Sequence, residues 1–127
     1  MTVSITISVS GNVIRQIGNV PWQSNMNAQD ALEHAYHSGT GYDFMLEYFG
    51  TALGYEVVSI DKIASQAGSD TYLFWEFSVN GTVSTLGIDQ VKLSDGDKLS
   101  FNYIPYDPVV HAGGRYAAIR ARASADT

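Results

Sequence analysis

The sequence predicts an α+β protein, with one short helix packed on a mixed sheet of four or five strands and a C-terminal tail. Three observations lead there. Residues 2 to 9 alternate strictly between apolar and hydroxyl side chains. Ala28, Ala31, Leu32, Ala35 and Tyr36 recur at helical spacing. Asn80-Gly81, a pair tolerant of positive φ, stands between two strand-like runs.

The first strand is read over 2–9, with Val3, Ile5, Ile7 and Val9 on one face and Thr2, Ser4, Thr6 and Ser8 on the other. Ser10-Gly11-Asn12 turns the chain, and Val13 to Val20 returns as a hairpin partner that Pro21 ends. Asn27 has the chemistry of a helix N-cap, with Asp30 completing a variant capping box, so the helix is expected from about Ala28 to His37. After the loop Ser38-Gly39-Thr40-Gly41, strands are read over 44–49 and 55–60, separated by Gly50 and Gly54.

A polar loop over 65–70 precedes the aromatic strand Tyr72 to Val79, in which Tyr72, Phe74, Glu76 and Ser78 oppose Leu73, Trp75, Phe77 and Val79. Leu93-Ser94-Asp95-Gly96-Asp97 turns into a last strand over 98–104 that stops at Pro105. A hairpin, one helix, then further strands is the order of a β-grasp, or ubiquitin-like, sheet wrapped around its helix. The expected organisation is a β-grasp domain over 1–105 and a tail over 106–127, with a short helix near Tyr116 to Ala121 and a frayed end.

At 127 residues and 13.8 kDa, the chain suits one domain with one core. A formal charge of −6 and a pI near 4.7 argue against nucleic acid and acidic membrane surfaces, which select clustered Lys and Arg. With no Cys there is neither a disulfide framework nor a thiolate metal site. The N-terminal residues lack a basic segment and a continuous apolar core, so the expectation is a cytoplasmic protein, or a secreted one whose leader has been removed. Eight Tyr, five Phe and two Trp exceed what a small core requires, so some of them are expected at a pocket or contact face.

One long pattern resembles a known family. It runs from Trp75 through Asn80-Gly81, Gly87-Ile88 and Leu93-x-Asp95-Gly96-Asp97 to Phe101-x-Tyr103. The helix start Asn27-Ala28-Gln29-Asp30-Ala31-Leu32 and the strand Gly54-Tyr55-Glu56-Val57-Val58-Ser59-Ile60 belong to the same likeness. Together they resemble the C-terminal β-grasp domain of the transcobalamin and intrinsic factor family, in its stand-alone bacterial form. The resemblance implies a small binding domain, cobalamin as a ligand to consider, and Thr85, Leu86 and Gly87 as contact residues on a connecting loop.

Two functions from different classes are compatible with the residues. The first is a non-catalytic small-molecule binding module without a bound cofactor, its pocket lined by Trp22, Phe74 and Trp75 along the aromatic strand and the 82–89 connection. The second is a cofactor-free isomerase, lyase or cyclase acting on a hydrophobic small molecule. There Glu76 and Glu47 supply acid and base, and Tyr48, Tyr55 or Tyr72 polarises an oxygen. His34 and His37 are alternates, although an H-x-x-H pair near a helix C-terminus also reads as a solvated face favoured by the helix dipole. No metal is expected. A sheet with one helix leaves a face to cover, so either the tail or a second copy in a homodimer is expected there.

Overall fold

The computed structural model describes residues 1–39, 43–51, 53–67 and 72–107. The tail over 108–127 and its expected short helix lie outside the described residues.

Strands β1 (Thr2–Val9) and β2 (Asn12–Pro21) form the expected hairpin, closed by Ser10 at φ 51° and Gly11 at φ 82°. Two successive positive φ values give the turn a twist that matches its strands. The second strand begins at Asn12 and runs to Pro21, which pairs with Thr2 at the sheet margin, where a missing N–H does no harm. Helix α1 spans Ala28–His37. Asn27 caps it, accepting from the Asp30 amide at 2.8 Å while the Asp30 carboxylate accepts from the Asn27 amide at 3.0 Å.

The remaining strands are β3 (Phe44–Tyr48), β4 (Tyr55–Ile60), β5 (Ile63–Ala64), β6 (Gln66–Ala67), β7 (Tyr72–Val79), β8 (Thr82–Val83) and β9 (Lys98–Pro105). The main sheet has the order β2-β1-β9-β7-β6, with β8 paired to the end of β7. It is mixed, because β1 and β9 run parallel at its centre while the other pairs are antiparallel. Asn80-Gly81 forms the expected tight turn, at φ 52° and 84°.

One expectation is corrected. The strands read over 44–49 and 55–60 do not join the main sheet but form a second, three-stranded one, β3-β4-β5. The loop between them closes on itself, with Phe49 and Gly54 amides donating to the Gly54 and Gly50 carbonyls, so the two strands have each other as partners. The neighbouring position beside β7 is taken by β6, inside the stretch read as a polar loop.

Both sheets share a core. Ile5, Ile7, Leu99, Phe101, Phe77 and Trp75 face the alanine stripe of α1 (Ala28, Ala31 and Ala35, with Leu32), and Val57 and Ile60 of the small sheet complete the cluster. Small residues on the helix let it sit close to a sheet face already filled by large side chains. The Trp75 indole Nε1 donates to the Ile63 carbonyl at 2.8 Å, so the small sheet is tied directly to β7. The outer sheet face holds a second cluster, Tyr72 and Phe74 packed by Phe49, Val83, Ile104 and Tyr106.

The Leu-x-Asp-Gly-Asp turn is a structural device. Asp95 accepts from the Thr2 amide, and Asp97 accepts from the Ser94 amide and the Asn80 side chain, at 2.7–2.9 Å. These bonds fix the start of β9 against both hairpins. Among the described residues no helix is long and apolar enough to cross a membrane.

Candidate functional site

A groove of about 620 Å³ opens between the second half of α1 and the small sheet. Glu33, Tyr36 and His37 line it from the helix, and Phe44 and Met45 from β3. Ser59 of β4 and the charged pair Asp43 and Lys62 close its other side. Helical spacing put Tyr36 in the buried stripe, but it is 45% exposed and turns its ring edge-on to Phe44 at 6.0 Å. It lies in the last turn of α1, beside the open groove, with Phe44 of β3 against its ring. Met45 is 64% exposed. An open hollow with apolar walls and a few polar groups has the character of a small-molecule site.

The binding residues expected from the sequence are dispersed. Phe74 and Trp75 are each 1% exposed, on opposite faces of β7, and so line no open surface. Trp22 is half-buried, its indole donating to the Leu93 carbonyl at 2.9 Å. Thr85 and Leu86 are exposed at the tip of a turn in which the Ser84 hydroxyl bonds both the Leu86 amide and its carbonyl. Gly87 is buried where that segment meets the small sheet, its amide donating to the Leu53 carbonyl at 3.0 Å.

Of the acid–base candidates, the structure brings Glu47 and Tyr72 together. The Tyr72 phenol is pushed up to about 12 from its ordinary 10, chiefly by burial, with a hydrogen bond from Ser65 opposing the rise and the Glu47 charge adding to it. Tyr48 and Tyr55 face each other across β3 and β4 with ring centres 4.9 Å apart. Glu76 is half-buried on the outer face opposite Asn102, about 13 Å along β7 from Tyr72 at the usual strand rise. His37 reaches the groove, whereas His34 lies on the exposed side of α1 toward Pro21.

Sequence reasoning missed Glu56. It is 1% exposed and directly opposite Glu47 in the β3–β4 register. In the row Tyr55-Glu56-Val57 it reads as the solvent side of an alternating strand. A register shift between Met45 and Leu46 leaves Val58 as an extra residue on β4 and re-phases its faces, which no local pattern announces.

The Tyr72 shift has a measurable consequence. Because the folded phenol holds its proton more tightly than an ordinary tyrosine, the associated stability is fully present below pH 10 and is lost as pH climbs through 12. Urea midpoints of wild type and Tyr72→Phe across that window are expected to converge at the alkaline end. Parallel declines would show that another group governs the alkaline limb.

Residues 25–104 match the family described as a domain of unknown function, DUF4430. The chain belongs to that family. No curated protein matches its sequence. Among solved structures, haptocorrin in complex with Cbi superposes with a TM-score of 0.66 at 16% identity, over 84% of this chain and 25% of that one. A protein from Ruminococcus gnavus proposed to bind metal superposes with a TM-score of 0.55 at 15% identity, over 84% of this chain and 98% of that one. The domain thus spans a quarter of the haptocorrin chain, and these likenesses show that it shares the fold of that part. Among the described residues no group of three or more His, Cys, Asp or Glu is placed to hold a metal ion.

Proposed function

We propose that this domain is a β-grasp small-molecule binding module that is not itself an enzyme. The β-grasp reading is supported by the opening hairpin, the helix that follows it, and the parallel pairing of β1 with β9 at the sheet centre. The binding reading rests on the groove between α1 and the small sheet, where Tyr36 and Met45 remain exposed beside charged side chains. Large apolar side chains left in contact with water at a concave site are costly unless something occupies it. Leu86, 43% exposed on its turn, is a second contact element, in line with the resemblance to the carriers.

Cobalamin is a less suitable occupant than a smaller molecule. Only a quarter of the haptocorrin chain has a counterpart here, and the groove is an open hollow of about 620 Å³. Calorimetric titration with cobalamin and with a set of mono- and bicyclic aromatic compounds tests the reading. A small aromatic compound is expected to bind at micromolar to millimolar concentration and to weaken at least tenfold in Met45→Asp. Absence of binding by every compound would reject the reading.

The catalytic alternative has one observation in its favour, the alignment of Glu47 with buried Glu56 beside the Tyr72 phenol. Turnover of a hydrophobic substrate that disappears in Glu47→Gln, with folding intact, would favour it over simple binding.

A further inference from the structure

Resting on that binding reading and deepening it, we propose that the groove takes a zwitterion with a flat apolar body, the chemical class of the free aromatic α-amino acids. Both signs of charge stand at its rim. Glu33 offers a carboxylate from α1 on one side, and Lys62 stands on the other, where the Asp61 amide donates to the Asp43 carbonyl at 2.8 Å. These opposite charges do not neutralise each other: Lys62 and Asp43 form no ion pair among the described residues, and Glu33 accepts a single bond, from the Gln29 amide at 3.1 Å. Charges of opposite sign that face one hollow without pairing suit a ligand that carries both.

The position of Lys62 strengthens the assignment. Asp61 and Lys62 make the two-residue turn between β4 and β5 at φ 51° and 69°, both left-handed. Glycine or asparagine is the ordinary occupant of such a turn, and a long side chain there costs on the order of 1 kcal/mol. A lysine held at that cost lines the groove, where its ammonium group would meet the anionic end of a ligand. The apolar body would lie on the edge-to-face pair Tyr36 and Phe44. The cationic end would meet Glu33 across the groove, beside the last turn of α1, whose carbonyls add partial negative charge. His37 stands edge-on to Tyr36 at 5.4 Å and supports that ring rather than the ligand.

Three isosteric probes separate the charges: L-tryptophan, tryptamine, which lacks the carboxylate, and indole-3-propionate, which lacks the ammonium group. Calorimetry on wild type is expected to give at least tenfold tighter binding for L-tryptophan than for either partner. Lys62→Gly tests the mechanism cleanly, because glycine accepts the left-handed turn and the variant is expected to fold at least as stably as wild type. In it, L-tryptophan should fall to the affinity of tryptamine, while tryptamine itself is unchanged or tighter. Glu33→Gln should lower L-tryptophan to the level of indole-3-propionate. Equal affinity for the three probes, an undiminished preference in Lys62→Gly, or no binding by any of them would overturn the proposal. Equal affinities that still weaken in Met45→Asp would leave the broader binding reading standing, so the two failures are distinguishable.

Discussion

Trp75→Ala is expected to cost about 3–5 kcal/mol, a large share of the stability of a domain this size. The side chain is 1% exposed, packs at 5.1 Å from the Tyr103 ring, and bonds the Ile63 carbonyl through its indole nitrogen. Truncation removes the largest fully buried side chain of the described core and leaves the half-buried Ile63 carbonyl without the indole donor. Trp75→Phe keeps most of the ring volume and loses the bond, so its cost should fall to about 1–3 kcal/mol. The gap between the two variants, read from urea denaturation midpoints, divides packing from hydrogen bonding. A loss below about 1 kcal/mol in Trp75→Ala would mean that β7 does not carry the core as described.

Gly87→Ala is the second large effect. A Cβ at this position would meet the Leu53 carbonyl oxygen at 2.5 Å and the Tyr55 carbonyl oxygen at 2.6 Å. Both obstacles are backbone, so neither can swing aside as a side chain would. The segment lies close there because the Gly87 and Ile88 amides donate to Leu53 and Tyr55, and Asp89 receives the Tyr55 amide at 2.7 Å. The methyl group must push the 86–90 connection off the small sheet, at a cost of about 2–3 kcal/mol or more. Gly18→Ala is the control, since nothing lies within 4 Å of its would-be Cβ. Similar losses in the two variants would contradict the close docking.

The opening hairpin, the capped helix, the Asn80-Gly81 turn and the last strand were legible because each is announced locally. Alternation, a cap and turn chemistry all act within a few residues. The strands on either side of Gly50 were found as strands but assigned to the wrong sheet. Partner choice there depends on loop closure at Gly54 and on β6 occupying the place beside β7, neither of which any short window contains.

The site was less legible for the same reason. Trp75 and Phe74 are as aromatic as a pocket requires, yet the pleat sends them to opposite faces and packing seals both. Tyr36 reads as core by its spacing, yet it is exposed at the groove beside β3, which no short window reveals. Lys62 carries no signal in the sequence, because its left-handed backbone appears only once the β4–β5 turn is formed. Gly87 is the converse. Its place in the Gly87-Ile88-Asp89 break was evident, but the reason is a backbone contact some thirty residues away in sequence.

The groove between α1 and the small sheet is the proposed place where a small aromatic molecule binds. Intermolecular nuclear Overhauser effects between bound L-tryptophan and the isotope-labelled full-length protein test that most directly. Contacts are expected from the indole ring to the side chains of Tyr36, Phe44 and Met45, with amide shifts at Lys62. Contacts to Leu86 and Thr85 alone, or binding that leaves Tyr36, Phe44 and Met45 undisturbed, would contradict that placement.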